Sequence, residues 1–152
     1  MGRLVVHSVS VVLFLLVASS SDVYAQKIAK AKATQFINRT NMVIKFAKEV
    51  VHQNKVYTGN LNKAVFHQKY ARELYHEGKF KKAVFHSSRA RALAFLAIRA
   101  NNSKAKPEME ITAAEQDILK DIPIAAQLDA EVTIPAGTND ETAAAEKEVD
   151  VI

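Results

Sequence analysis

The sequence predicts an all-α protein in which three antiparallel helices form a basic domain and a partly disordered acidic tail follows. Residues 26–106 contain no proline and only two glycines, Gly59 and Gly78, and apolar residues recur at helical spacing on either side of them. In this segment 18 Lys and Arg against 3 Asp and Glu give a net charge of +15. Residues 107–152 contain 2 basic and 12 acidic residues, a net charge of −10, and all three prolines. These observations predict a domain boundary near residue 106.

Residues 1–25 have the pattern of a cleaved secretory signal peptide. Arg3 supplies a positive N-terminal region, residues 9–18 form a short apolar run, and Val23-Tyr24-Ala25 fits the small-x-small cleavage pattern, so Gln26 is the predicted mature start. The apolar run is shorter than the roughly 20 residues that a membrane-spanning helix needs. The chain has no cysteine that could carry a lipoprotein anchor. We expect a secreted or periplasmic protein, with an uncleaved anchor as the alternative.

An internal repeat defines the helices that follow. The first helix is predicted from about Lys27 to Val56, and residues 59–74 and 78–93 then match at nine of sixteen gap-free positions. Each copy predicts a glycine turn followed by an amphipathic helix, because glycine readily adopts the left-handed backbone conformation found at helix ends. Short turns make successive helices antiparallel.

The second hairpin resembles a tetratricopeptide repeat over roughly residues 61–96. The resemblance is carried by small, apolar and aromatic residues at the turn and around it: Ala71, Leu74, Gly78, Phe80, Ala83 and Ala90. The hairpin departs from that family in lacking a Trp and a Leu-Gly pair in its first helix, in having Ser87 where the family prefers an aromatic residue, and in lacking a proline after the second helix. Its period is 19 residues, against 34 in the family. The resemblance implies a protein-binding scaffold without catalytic machinery.

The acidic segment, residues 107–152, is predicted to be weakly ordered. Thr112 and Glu115 form a capping-box pattern, and the apolar residues that follow predict a helix of about three turns before the next proline. Residues 131–134 alternate like a short strand, and the polar, acidic sequence after Pro135 is typical of disorder. One interpretation is a solvated tail; the other is a tail that folds onto the basic helices.

The candidate binding residues are six basic side chains of the repeat hairpin: Lys63, Lys69, Arg72, Lys82, Arg89 and Arg91. A strong positive field attracts acidic protein segments, phosphate, anionic lipid and acidic glycan. The alternative is a solvated face that keeps a small domain soluble. Export disfavours nucleic acid as a partner, since few exported proteins meet it.

The sequence supports neither catalysis nor a metal site. The absence of cysteine excludes thiol nucleophiles, disulfides and Cys-ligated metals. Ser87 and Ser88 fall within a predicted helix, and the isolated glycines form no phosphate-cradling loop. His67 and His86 are repeat equivalents, and a metal site would require them to converge with carboxylates. Antiparallel packing leaves that convergence open, so we assign no catalytic residue, cofactor-binding residue or metal ligand.

These observations favour an exported, non-enzymatic protein-interaction module. Its expected partner is a protein or peptide with acidic side chains, and its own C-terminal tail is a second candidate partner. The alternative function is a cationic surface binder of envelope polyanions, anionic lipids or polysaccharide, whose binding would weaken steeply with salt. The thin core of three helices is also compatible with a homodimer. Asn38-Arg39-Thr40 and Asn101-Asn102-Ser103 match the glycan-acceptor pattern.

Overall fold

The described part of the chain contains three long α-helices, three short α-helices and one 3-10 helix. The computed structural model describes the backbone of residues 9–147 and 152, and the side chains of residues 22–147 and 152. No β-strand occurs within these residues, so the all-helical prediction is confirmed. The elements are α1 (Val9–Asn54), α2 (Asn60–His76), α3 (Phe80–Ala100), a 3-10 helix (Pro107–Met109), α4 (Ala113–Ile118), α5 (Ala125–Ala130) and α6 (Asp140–Ala145).

The long helices α1, α2 and α3 pack against one another in up-down-up order. Between α1 and α2 the pairing is antiparallel: Thr34 hydrogen-bonds the Tyr75 hydroxyl at 2.7 Å, and the Gln68 amide donates to the Ile37 carbonyl at 3.0 Å. The main core is built from aliphatic and small side chains of all three helices, including Val43, Ile44, Ala47, Val51, Leu61, Ala64, Val65, Ala90, Leu93, Ala94, Ala97 and Ile98. The alanines allow the helix backbones to approach closely.

The two repeat glycines adopt the left-handed conformation that the sequence predicts. Gly59 has φ 79° and Gly78 has φ 77°. At the second turn the Lys79 amide donates to the Leu74 carbonyl at 2.9 Å, which closes the end of α2 as in a Schellman motif. Gly59 precedes α2 as predicted, but it does not end the preceding helix, because α1 ends at Asn54, five residues earlier. Helix α1 therefore ends slightly before the predicted Val56.

The start of α1 contributes little to the core. Helix α1 runs without interruption through the predicted cleavage position after Ala25, the side chains of residues 22–32 are exposed, and the first buried side chain among those described is Ala33. Residues 1–8 of the predicted signal peptide lie outside the described residues. No helix within the described part of the chain is long and apolar enough to cross a membrane.

The acidic segment departs from its predicted secondary structure at three points. Helix α4 begins with the predicted Thr112–Glu115 capping box, which is confirmed, but it has six residues where about three turns were expected. Residues 131–134 are irregular, so the predicted strand is wrong; within the described chain there is no other strand with which they could pair. Beyond Pro135, where the composition predicts disorder, residues 140–145 form α6. Residues 148–151 lie outside the described residues.

Contacts with the long helices explain why the acidic segment is ordered where its composition predicts otherwise. Asp140 and Ala143 of α6 are buried, and Ala143 belongs to the main core. Leu128 of α5 and Met109 of the 3-10 helix are also buried. The segment is therefore stabilised by burial of apolar side chains against the long helices, which its own polar composition does not indicate.

Candidate functional site

Three carboxylates of the acidic segment that are buried or partly buried form hydrogen bonds with the basic helices. Glu115 reaches α1 and α3, Asp129 reaches the facing sides of α2 and α3, and Asp140 reaches the start of α2. We call Glu115, Asp129 and Asp140 the tail anchors. The opposite charges of the two segments thus meet within one chain.

The first anchor neutralises a buried arginine. Arg91 is 0% exposed, and its Nη1 and Nη2 atoms donate to Glu115 Oε2 and Oε1 at 3.1 and 3.0 Å. Its Nε donates to Thr40 Oγ1 and its Nη2 to the Phe36 carbonyl, both at 3.1 Å. Arg39 adds a second cation, 2.6 Å from Glu115 Oε2. Four of the five N–H donors of Arg91 therefore bond groups of the protein itself, and the side chain is enclosed.

Both Glu115 and Arg91 are ionised in this buried pair. Burial opposes ionisation of Glu115, but hydrogen bonds from Arg91 and the Thr112 amide outweigh it and lower the pKa of Glu115. Burial lowers the pKa of Arg91, which stays protonated near neutral pH because guanidinium groups ordinarily titrate far above it. This pair joins the two oppositely charged segments in the interior.

The third anchor caps α2 from a distance in sequence. Gly59, the N-cap residue of α2, has no side chain with which to satisfy the free backbone N–H groups of the first turn. The side chain of Asp140, only 1% exposed, accepts these hydrogen bonds instead. Its Oδ2 accepts from the Thr58 and Gly59 amides at 2.7 Å each, and its Oδ1 accepts from the Asn62 amide at 2.8 Å. A carboxylate at this position also meets the positive end of the helix dipole.

The second anchor lies over a pair of buried histidines. His67 of α2 and His86 of α3 are 2% and 1% exposed, and their Nδ1 atoms lie 3.2 Å apart. His67 Nε2 lies 3.0 Å from Asp129 Oδ1, and His86 Nε2 lies 3.5 Å from Glu131 Oε2. Arg89 Nε and Nη2 donate to the two oxygens of Asp129 at 2.7 and 2.8 Å. We call these five residues the histidine clasp.

The clasp holds neutral imidazoles beside an ionised carboxylate. Burial, followed by the charge of His86, lowers the pKa of His67 to about 4. Burial also lowers the pKa of His86, against the opposing effect of Glu131. The hydrogen bond from Arg89 lowers the pKa of Asp129. At neutral pH the clasp therefore carries its positive charge on Arg89.

The histidines converge, but the donors around them do not form a metal site. In each ring Nδ1 faces the other histidine and Nε2 faces a carboxylate, so the ring nitrogens and carboxylates do not converge on one point where a metal ion could bind. Within the described residues, no group of three or more His, Asp and Glu side chains is arranged to hold a metal ion. Ser87 and Ser88 are buried within α3 and present no exposed nucleophile.

The six predicted binding residues divide into two groups. Lys63 is exposed and Arg72 is partly exposed. The other four contact carboxylates of the acidic segment: Lys69 with Glu146 at 3.0 Å, Lys82 with Glu131 at 3.8 Å, Arg89 with Asp129, and Arg91 with Glu115. The expectation that Arg91 lies on an exposed basic face is wrong, because it is enclosed between α1, α3 and α4.

The two glycan-acceptor patterns fall on asparagines that are already engaged. The Asn38 amide exchanges hydrogen bonds with the backbone of Ile152, at 3.0 and 3.1 Å, and Thr40 of the same tripeptide is fully buried. Asn101 is buried and bonds the backbone of Val56 through both ends of its amide. In this fold neither amide is free for modification.

Comparison with known proteins adds no family to these observations. No protein-family model matches the chain, and no curated protein or solved structure is detectably similar to it.

Proposed function

We propose that the chain is an exported, non-enzymatic interaction protein whose basic α2–α3 face binds an acidic segment of a partner protein. The observation that carries this proposal is the environment of Asp129, which takes a bidentate pair from Arg89 and a contact from His67. A planar guanidinium that grips both carboxylate oxygens is a general device for recognising acidic side chains. In the closed chain, the tail occupies this position as a partner's carboxylate would.

The tail contacts around this position are weak enough to be displaced. Lys69–Glu146 and Lys82–Glu131 are ion pairs between well-exposed side chains, which typically contribute about 0–1 kcal/mol each. Helix α5 has six residues and buries one large apolar side chain, Leu128. The tail nevertheless competes well because it is tethered to the face that it covers, which raises its effective concentration.

The tetratricopeptide-like character of residues 61–96 is part of the same proposal. The hairpin of α2 and α3 would be the scaffold, and protein binding is what the resemblance implies for it. Export is supported by the signal-like residues 1–25 and by the exposure of residues 22–32. Removal of residues 1–25 would take no described core side chain, since the first of these is Ala33.

A second candidate function is binding to envelope polyanions, anionic lipids or polysaccharide. It is favoured by Lys27, Lys30 and Lys32, which are exposed at the start of α1. Such a surface would act through its summed charge and would need no defined groove.

A peptide with the sequence of residues 124–134 tests the first candidate in trans. We expect this labelled peptide to bind the Asp129→Asn chain more tightly than the wild type, because the variant's own tail competes poorly for Arg89. Asp117→Asn is the matched control, since Asp117 pairs with Lys120 on the surface. A peptide that itself carries Asn in place of Asp129 should bind less well.

The outcome separates the two candidates. If the Asp129→Asn chain binds the peptide no better than the control does, the proposed acidic-segment site is wrong. Three results with anionic vesicles would support the polyanion binder instead. Vesicle binding would be unchanged by Asp129→Asn and lost when Lys27, Lys30 and Lys32 are replaced by Gln. It would also fall steeply between ~50 and ~200 mM salt.

A further inference from the structure

The hydrogen-bond pattern of the histidine clasp fixes where its protons lie. Asp129 is ionised and can only accept, so His67 Nε2 carries a proton and donates to it. In a neutral His67 the Nδ1 atom is then an acceptor, and His86 must donate its own Nδ1 proton across the 3.2 Å gap. His86 Nε2 is left without a proton, 3.5 Å from Glu131. In the neutral pair the two Nδ1 atoms therefore share a hydrogen bond, whereas His86 Nε2 has no proton to donate to Glu131.

The clasp can accept one more proton but not two. A first added proton on His86 Nε2 faces the Glu131 carboxylate and creates a favourable contact. The four ring nitrogens then hold three protons, with one shared between the two Nδ1 atoms. A second added proton would place two N–H groups against each other at 3.2 Å, between two buried positive charges. That state has no satisfactory arrangement while the clasp is closed.

We propose that the histidine clasp is an acid-sensitive latch that holds residues 124–134 against α2 and α3 and opens when the histidine pair takes up its second proton. When the rings separate and Asp129 and Leu128 leave their positions against α2 and α3, water can solvate both imidazolium groups. The groups that face the pair come from each surrounding element: Tyr70 of α2, Lys82 and Arg89 of α3, Asp129 of α5, and Glu131 in the loop after it.

The direction of the response follows from linkage between protonation and opening. A histidine in the open chain titrates near 6.5, whereas burial lowers the pKa of His67 in the closed clasp to about 4. The open state therefore binds more protons than the closed state throughout this interval, and acid favours opening. The change in His67 alone raises the ratio of open to closed chains by on the order of 100-fold as pH falls from 6.5 to 4.

Opening would also free Arg89 for an acidic partner. This consequence rests on the proposed function, whereas the opening itself does not. The latch is therefore measured without any partner, so that a failure of partner binding and a failure of the latch give different results.

A spin label on α5 reports the latch directly. Because the chain has no cysteine, Ala126→Cys, at an exposed position of α5, offers a single attachment site for a nitroxide. We expect the label to become mobile between pH 6.5 and 4, while far-UV circular dichroism still shows the long helices. His67→Gln should stay closed over the same range, because the Gln amide donates to Asp129 and accepts from His86 without titrating. The matched control His76→Gln, at an exposed position, should open like the wild type.

Titration of the histidine ring carbons by NMR provides a measurement that needs no substitution. In the wild type, the ring of His67 should titrate near pH 4, well below the ordinary histidine value of 6.5. Titration of both His67 and His86 near 6.5 would overturn the proposal. So would a label that responds to pH equally in the wild type and in His67→Gln, a label that stays immobile at pH 4, or loss of the long helices at the pH where the label is released.

Discussion

Arg91 and Glu115 form a bidentate ion pair in the interior, although they come from segments that composition divides into a basic domain and an acidic tail. Both side chains are buried, and Arg39 contacts the same carboxylate from α1. The pair shows that the acidic segment is part of the folded unit at least through α4. The modest net charge of +5 thus conceals charges that neutralise each other within the chain.

Removing one member of this pair should destabilise the fold strongly. Glu115→Gln leaves Arg91 charged and buried without a counter-ion, and we expect the free energy of unfolding to fall by about 3–5 kcal/mol. Urea unfolding followed by circular dichroism measures this loss. Glu110→Gln, at an exposed position of the same segment, is the control and should cost less than about 0.5 kcal/mol. A loss equal to that of the control would contradict the structural role of the pair.

Truncation at residue 106 should impair folding itself. The fragment 26–106 contains all three long helices, but it lacks Glu115 and Asp140, which satisfy Arg91 and the start of α2. We expect a broader thermal transition at a lower temperature than for residues 26–152. A fragment ending at residue 122 retains Glu115 and should recover part of the lost stability. If the two fragments melt alike, Glu115 does not contribute as the geometry indicates.

The parts of the fold set by local sequence could be predicted. Gly78 and Gly59 mark turns because their left-handed backbone conformation is a local requirement, and the Thr112–Glu115 capping box spans three residues. The convergence of His67 and His86 could also have been predicted, since they lie 11 residues before and 8 residues after Gly78, and an antiparallel hairpin brings together positions that match to within one helical turn. Repeat equivalence alone did not indicate this.

The tail anchors could not be predicted in the same way. Glu115 is recognisable as a capping residue, but its contact with Arg91 depends on how α4 crosses the long helices. Asp140 acts on an N-terminus about 80 residues earlier in the chain, and its own neighbours are polar and acidic. The sequence assigns Arg91 to a basic surface, because nothing in the neighbouring residues distinguishes Arg91 from Arg89. Only the packing separates the buried residue from the accessible one.

Loss of the cap that Asp140 provides should affect mainly the first turn of α2. Asp140→Ala removes the acceptor for the Thr58, Gly59 and Asn62 amides and is expected to cost about 1–2 kcal/mol. Hydrogen exchange at these three amides should accelerate more than exchange within the middle of α2. Glu141→Ala, at the exposed neighbouring position, is the control. Uniform acceleration throughout the chain would indicate global loss of α6 packing and not loss of a cap.

Global stability should decline in acid through the same histidine that we assign to the latch. The pKa of His67 is about 4 in the fold and near 6.5 in the unfolded chain, so the unfolded state binds more protons in between. Its contribution is fully present above 6.5 and is lost as the pH falls toward 4, by up to ~3 kcal/mol. Glu115 and Asp129 act in the same direction, since their lowered pKa values stabilise the fold only while they are ionised.

Comparing two variants separates the histidine from the carboxylates. Urea unfolding at a series of pH values should give a shallower decline between 6.5 and 4 for His67→Gln than for the wild type, because Gln takes up no proton in either state. His76→Gln should retain the wild-type slope, since that side chain is exposed. Below pH 4 the slopes of all three proteins should converge, because the remaining loss comes from carboxylates common to each. Parallel curves from 6.5 to 4 would mean that His67 is as easily protonated in the fold as in the unfolded chain, and the burial that defines the clasp would then have no electrostatic consequence.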